Sequence, residues 1–117
     1  MSNKQNKIYL IYCKSINLYK IGISTNPEKR IKQLQTGSPY ELSIITIYDS
    51  KYPFKLETTL HNIFSSRKTP ENFKYDFELL SGEWFNLSNK DVAGFIDSCK
   101  KIEETIDNLK LSGNPFV

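Results

Sequence analysis

The sequence predicts a single α+β domain, in which a small antiparallel sheet of three strands is flanked by helices and followed by an amphipathic C-terminal helix. Three runs are rich in β-branched and aromatic residues, as strands are: KIYLIYC, LYKIGIS and ELSIITIYDS. Two later stretches place apolar residues three and four positions apart, which indicates helices. A chain of 117 residues has the size of one domain. The main body of this domain is expected to span about residues 7–88, before the C-terminal helix.

The first two runs are expected to form a hairpin, because only residues 14–17 separate them. Pairing across this turn puts Tyr9 near Gly22 and Ile11 near Lys20, and cross-strand neighbours share a face. The apolar layer for the core is then formed by Ile8, Leu10, Tyr12, Tyr19, Ile21 and Ile23. The opposite face carries Tyr9 and Lys20 beside a glycine that lets another backbone or a phosphate come close. This opposite face is predicted to be the functional surface.

A helix should follow the hairpin, because Thr25 or Asn26 can cap it, with Pro27 in its first turn and Gly37 at its end. The third strand comes next. A second helix over about 54–66 is predicted by the spacing of Leu56, Leu60, Ile63 and Phe64.

The last third of the chain combines a connection with a long helix. Residues 67–82 are predicted to be rich in loops, and GEWFNL to be a short buried strand or edge, with Trp84 and Phe85 in the core. The C-terminal helix is expected over about 89–111. Its apolar stripe consists of Val92, Phe95, Ile96, Cys99, Ile102, Ile106 and Leu109.

Composition narrows the class of protein. Apolar residues make up 38% of the chain and charged residues 25%, and no apolar run approaches the ~20 residues of a membrane helix. The start, MSNKQNK, leads into no signal-peptide segment. Cys13 and Cys99 lie in strand and helix patterns, so both are expected to be buried thiols. We therefore expect a cytoplasmic, nucleoid or nuclear protein that is neither secreted nor bound to a membrane.

The net charge of +3 permits nucleic-acid binding without demanding it. Positive charge is concentrated in the first 70 residues, whereas the C-terminal helix mixes acidic and basic side chains. The candidate nucleic-acid contacts are Lys14, Lys29, Lys32, Arg67 and Lys68. A solvated lysine-rich surface would give the same pattern.

Five side chains have the chemistry that metal-assisted phosphodiester cleavage requires: Tyr9, Lys20, Arg30, Glu57 and His61. Four of them also have an ordinary explanation, which is packing for the tyrosine, a solvated charge for the lysine and arginine, and a structural hydrogen bond for the histidine. The pair of Glu57 and His61 is by itself a weak metal signal. No CxxC pair, HExxH, P-loop or GxSxG motif is present. The order of the five therefore matters more than any one of them.

That order resembles the GIY-YIG nuclease superfamily over roughly residues 7–88. The tyrosine of KIY, Tyr9, is followed eleven residues later by the lysine of KIG, Lys20. An arginine comes eight residues after the glycine of KIG, and a helical glutamate follows. YKIGIS, LETTLH and SGEWFNL are more similar still to its phage, viral and fungal branch, typified by meiotically up-regulated proteins.

The resemblance implies a role for each of the five side chains. Tyr9 would orient or deprotonate the attacking water, and Arg30 would neutralise charge on the scissile phosphate. Glu57 would hold a single Mg²⁺ or Mn²⁺ ion, the expected cofactor. Lys20 would contact the phosphate or act as a base, and His61 would bind the phosphate or position Glu57.

The sequence departs from the family pattern in three places. KIY replaces GIY but keeps the tyrosine, and Lys20 stands where most members have their second tyrosine. Tyr19 is next to this position, but it should face the core and is not expected to replace the missing tyrosine. The family's downstream asparagine could be Asn72 or Asn86.

We expect a divalent-metal-dependent endonuclease that hydrolyses phosphodiester bonds, with DNA as its substrate. Specificity would come from loops, a homodimer or a targeting partner protein. The alternative is a nuclease-fold module that has lost cleavage and binds nucleic acid in a regulatory role, which the missing tyrosine favours. A purely structural interaction domain would leave the charged constellation unexplained.

Overall fold

The computed structural model describes residues 5–67 and 84–113 and confirms the α+β class. The elements are β1 (Lys7–Cys13), β2 (Leu18–Ser24), α1 (Pro27–Thr36), β3 (Leu42–Asp49), α2 (Pro53–Ile63), a short 3-10 helix (Ser65–Arg67), α3 (Asn89–Ala93) and α4 (Phe95–Leu111). The three strands form one antiparallel sheet in the order β2-β1-β3. Within this sheet β1 is therefore central, and β2 is an edge strand.

The β1–β2 hairpin has the predicted register, with Tyr9 opposite Gly22 and Ile11 opposite Lys20. Asn17 closes the turn with a positive φ of 53°, a conformation that asparagine tolerates better than most residues. Its side-chain oxygen accepts a hydrogen bond from the Tyr12 hydroxyl at 3.0 Å. The turn therefore fixes which residues face each other along the strands.

Both faces of the sheet are buried, which corrects the expectation that only one face carries an apolar layer. The first face is the predicted apolar layer, and it packs against α2 through Leu56 and Leu60. The second face is covered by α1, whose Ile31 and Leu34 pack against a cluster that includes the buried Tyr9. The sequence pattern concealed this second layer because its members are contributed by separate segments.

The α1 helix begins and ends as predicted. Asn26 is its N-cap and accepts a hydrogen bond from the Lys29 amide at 3.1 Å, Pro27 is its first residue, and Gly37 is its C-cap. This local signal places Arg30 one turn into the helix, on the face that Pro27 and Leu34 also occupy.

The described part of the GEWFNL segment, residues 84–87, supplies the predicted short edge. Phe85 and Tyr19 exchange two backbone hydrogen bonds of 2.7 and 2.9 Å, so the segment pairs with the outer edge of β2 at one point. Trp84 and Phe85 are both buried, which confirms their assignment to the core.

Two predicted helices have different bounds. The helix expected over 89–111 is broken at Gly94, which caps the end of α3 and the start of α4, because glycine has a low helix propensity. Ser88 and Asp91 form a capping box that starts α3 separately. The second helix ends at Ile63 and is followed by the 3-10 turn.

Cys13 and Cys99 are both buried free thiols, as expected. Among the helices in the described ranges, none combines the length and apolar character needed to traverse a bilayer. Most of the predicted loop over 67–82, including Lys68 and Asn72, lies outside the described residues.

A buried carboxylate joins α4 to the start of α2. Glu103 is only 5% exposed and accepts hydrogen bonds from the Tyr48 hydroxyl at 2.5 Å, the Ser50 hydroxyl at 2.7 Å and the Lys51 amide at 2.8 Å. Burial alone would raise the pKa of Glu103, but these hydrogen bonds together lower it below its usual value. The α2 N-cap, Tyr52, makes no side-chain capping bond. Glu103 therefore stabilises the segment that leads into α2.

Replacing Glu103 by Ala should lower the free energy of unfolding by about 1–3 kcal/mol, because three donors lose their acceptor. The lowered pKa means that the wild-type contribution is present at neutral pH and is lost as the pH falls through the acidic range below the ordinary carboxyl pKa. Urea unfolding at several pH values measures both effects. Glu104→Ala, an exposed neighbour on α4, is the matched control. Equal losses in the two variants would contradict the role of Glu103.

Candidate functional site

A cleft with a volume of about 480 Å³ lies at the outer edge of β2. Its lining consists of Tyr9, Lys20, Ile21, Gly22, Ile23, Arg30, Glu57 and His61. All five side chains predicted to be catalytic therefore line a single cleft. They come from β1, β2, α1 and α2. The two helices cover opposite faces of the sheet, α2 the first face and α1 the second. The edge strand is the place where side chains from the two layers can meet.

Gly22 allows the phenol of Tyr9 to reach this edge. The two residues are cross-strand partners, and a Cβ atom at Gly22 would lie 2.3 Å from the Tyr9 hydroxyl oxygen. Any other residue would therefore collide with the ring. The tyrosine is only 2% exposed, so its hydroxyl is held in the floor of the cleft.

Arg30 lines the same cleft as Tyr9 and acts on its hydroxyl as a hydrogen-bond donor and as a positive charge. Burial raises the pKa of Tyr9 above its ordinary value, and Arg30 partly opposes this by its hydrogen bond and its positive charge. The charge of Glu57 raises the pKa of Tyr9 slightly, since a second negative charge nearby is unfavourable. The phenol is therefore protonated at neutral pH and coupled to both neighbours.

Glu57 and His61 are one turn apart on α2, which is anchored in the core by Leu56 and Leu60. The His61 Nε2 atom lies 2.8 Å from the carbonyl oxygen of Ile21 on β2. A carbonyl oxygen only accepts, so Nε2 carries a proton and donates here. The imidazole also packs edge-on against Phe85, with 5.1 Å between ring centroids. His61 thus makes the structural hydrogen bond that was its ordinary explanation in the sequence. Its side chain also lines the cleft.

Lys20 is 7% exposed, which excludes the interpretation of a solvated edge charge. Its ammonium lies 5.8 Å from the centroid of the Trp84 ring, within the range of a cation–π contact. Sequence reasoning assigned Trp84 to the core and missed this contact, because nothing in the pattern links two residues so far apart in the chain. Tyr19 packs in the core on the first face, as expected.

The predicted nucleic-acid contacts are distributed unevenly. Lys14 is exposed in the hairpin turn, and Lys29 and Lys32 are exposed on α1. Arg67 forms an ion pair with Asp91, so its charge is already partly neutralised. Lys68 lies outside the described residues.

The asparagine that the resemblance requires is not in the cleft lining. Asn86 is exposed, and its backbone amide donates to the Arg67 carbonyl at 2.8 Å. Asn72, the other candidate, lies outside the described residues.

The cleft offers a single carboxylate as a ligand for a metal ion. Glu57 is the only carboxylate among the lining residues, and no group of three or more histidine, cysteine or acidic residues that could hold a metal occurs within 5–67 and 84–113. Mg²⁺ keeps several waters and often binds through one or two carboxylates together with substrate phosphates. Glu57 is therefore the lining residue that could ligate such a hydrated divalent cation.

Fold and cleft together define a small α+β domain with a tyrosine, two cations, a carboxylate and a histidine at a sheet edge. The family model of the T5orf172 domain matches residues 6–103. The chain belongs to this family, a domain known in phage and nuclease-like proteins. Comparisons with curated proteins and with solved structures find no significant match.

Replacing Gly22 by Ala should lower the free energy of unfolding by about 1–3 kcal/mol, because the new methyl group overlaps the Tyr9 ring. The loss should be smaller when Tyr9 is already Ala, and a double-mutant cycle by urea denaturation measures this coupling. Gly37→Ala is the control, since its Cβ would meet only the Leu34 carbonyl oxygen at 4.0 Å. Additive effects at positions 22 and 9 would show that the two do not compete for space.

Proposed function

We propose that the protein is a divalent-metal-dependent endonuclease of the GIY-YIG type that hydrolyses phosphodiester bonds in DNA. The observation that carries this proposal is the convergence of Tyr9, Lys20, Arg30, Glu57 and His61 in one cleft from four separate elements. Membership of the T5orf172 family supports a nuclease-like or DNA-binding role in coarser terms.

In this proposal Tyr9 acts on the attacking water and Arg30 acts on the scissile phosphate beside it. The Tyr9 hydroxyl orients the attacking water, and its phenolate form accepts the proton of that water. The Arg30 guanidinium hydrogen-bonds the same hydroxyl, so it stabilises the phenolate and also presents donors to the phosphate oxygens. This arrangement explains why the arginine occupies the half-buried face of α1.

Glu57, His61 and Lys20 complete the proposed site. Glu57 holds the metal, and a bound Mg²⁺ or Mn²⁺ would polarise the phosphate and stabilise the leaving oxygen. His61 is oriented by the Ile21 carbonyl, so its ring keeps a fixed position beside Glu57. Lys20 is the second cation of the cleft and would neutralise a non-bridging phosphate oxygen.

Exposed lysines outside the cleft would hold the DNA backbone without reading its sequence. Lys29 and Lys32 on α1 and Lys14 in the hairpin turn carry the charge for this, and Arg67 and Lys68 would add to it. Sequence selection would then require a second copy of the chain or a targeting partner.

Glu57→Ala should abolish cleavage of a supercoiled plasmid in Mg²⁺ or Mn²⁺, because it removes the carboxylate that holds the ion. Wild type should cut with either metal and lose activity in chelator. Circular dichroism checks that the variant is folded, and Glu41→Ala, an exposed carboxylate outside the cleft, is the control. Cleavage by Glu57→Ala at the wild-type rate would overturn the proposed site.

The pH profile tests the role of Tyr9. Because the pKa of Tyr9 is raised, the phenolate is a minor species at neutral pH and grows about tenfold per pH unit. The kcat/KM for cleavage in Mg²⁺ should therefore rise between about pH 6.5 and 9. The Tyr9→Phe variant should lose the activity that the phenolate supplies and, with it, the rise of kcat/KM with pH. A Tyr9→Phe variant with residual activity and an unchanged slope would contradict proton transfer to Tyr9.

A nucleic-acid-binding module without cleavage is the second candidate, and the lysine in place of the second motif tyrosine favours it. In an active enzyme, Lys20→Ala should lower kcat in plasmid assays while Lys29→Ala mainly weakens binding, since only Lys20 lines the cleft. In an inactive module, wild type should bind DNA but not cut it with any metal, and Lys20→Tyr would be the variant to restore cleavage. Wild-type activity that is insensitive to Lys20→Ala would remove the residue from the site.

A further inference from the structure

The helix that carries Glu57 and His61 also carries an aromatic residue on the same side. Phe54 precedes Glu57 by three positions and His61 by seven, and at about 100° per residue these side chains fall within roughly 60° around the axis of α2. Residues three apart on a helix surface are neighbours, with about 5–6 Å between their Cβ atoms. Phe54 therefore lies one turn beyond the carboxylate of the cleft, towards the N-terminus of α2.

Phe54 is 66% exposed. Among residues 5–67 and 84–113 no other aromatic side chain belongs to the exposed class, and the rest are buried or half-buried. A single exposed apolar side chain is ordinary on a protein surface, so the exposure of Phe54 is informative only because of its position one turn from the cleft residue Glu57. An aromatic face is a surface on which a nucleobase can stack.

The backbone that presents this ring is well ordered. The Leu56 amide donates to the Tyr52 carbonyl at 2.8 Å, and the Thr58 hydroxyl donates to the Phe54 carbonyl at 3.0 Å. Leu56 itself is fully buried in the core. The ring is thus attached to a fixed helical turn, as a stacking platform requires.

We infer that Phe54 stacks on a nucleobase of the DNA strand whose phosphate occupies the cleft. The inference rests on the proposed function and adds a substrate class to it: a base can reach the ring only where it is unpaired or unstacked from its neighbours. The preferred substrate is then single-stranded DNA or a duplex with a distorted or unpaired position. Every base has a π face, so the contact selects structure and not sequence.

Binding to a fluorescent single-stranded oligonucleotide in chelator, followed by anisotropy, tests the contact without cleavage. Phe54→Ala should weaken binding about 5- to 100-fold, the range expected for losing one stacked base. Phe54→Tyr should retain most of the affinity, and affinity for a perfect duplex should change little. Ile63→Ala is the matched control, because Ile63 is 54% exposed on the same helix but roughly 180° away around its axis. Equal effects of the two alanine variants would overturn the inference.

A second measurement reports the stacking itself. In Phe54→Trp, the fluorescence of the new indole should be quenched by the oligonucleotide, and less so by one that lacks a base at the position nearest the ring. Native Trp84 is buried, and wild type measured in parallel gives its contribution. Quenching that is identical with intact and abasic strands at every position would overturn the inference.

Wild-type behaviour separates this inference from the proposed function. If wild type cuts or binds DNA and Phe54→Ala matches it on single strands, only the stacking contact is wrong. If wild type neither binds nor cuts any DNA, the proposed function fails and the stacking contact fails with it. If Phe54→Ala leaves DNA binding intact but converts a dimer in light scattering to a monomer, the ring is a protein contact and the inference is overturned.

Discussion

The site depends on the close approach of two residues across the hairpin. The ring of Tyr9 lies over Gly22, at a separation that leaves no room for a Cβ atom. This close approach lets a residue from the central strand extend its hydroxyl to the edge of the sheet, where Arg30 lines the same cleft and lowers its pKa. Without the glycine, the phenol would be displaced from the cleft and Arg30 would lose its partner.

The two helices of the cleft are held by different means. α1 is defined locally, by the Asn26 cap and by apolar contacts with the second face of the sheet. The start of α2 instead depends on Glu103, which lies far away in the sequence and accepts hydrogen bonds from the segment that leads into the helix. The position of Glu57 is therefore linked to the C-terminal helix, so substitutions at the Glu103 cluster should affect the cleft as well as stability. The family match, which extends to residue 103, includes this carboxylate.

Much of this architecture could be predicted from the sequence because local signals determine it. The four-residue turn fixed the hairpin register, and capping residues fixed α1. The second apolar layer and the cation–π contact of Lys20 could not be predicted in this way, because they depend on segments that meet only in the folded chain. The break at Gly94 has a local cause, the glycine itself, but the apolar stripe that continues across it over 89–111 concealed it. The motif spacing collected five side chains that line one cleft but carried no information on their burial, which is what excludes a solvated Lys20.

The charges of the cleft bear on which ligand it fits. Lys20 and Arg30 face a single carboxylate, Glu57, so the lining has one excess positive charge when His61 is neutral. Two cations in a partly buried site repel each other, and an anion placed between them is favourable for that reason. A phosphodiester supplies one negative charge and several acceptor oxygens, whereas a neutral peptide or carbohydrate supplies no charge. If the chain follows the proposed GIY-YIG pattern, Lys20 stands in place of a tyrosine, and this would do more than remove a hydroxyl. It would raise the positive charge at the site, beside the Trp84 ring that the ammonium contacts. This change favours tighter binding of a phosphate in the ground state, so whether it also favours the transition state decides between an enzyme and a binding module.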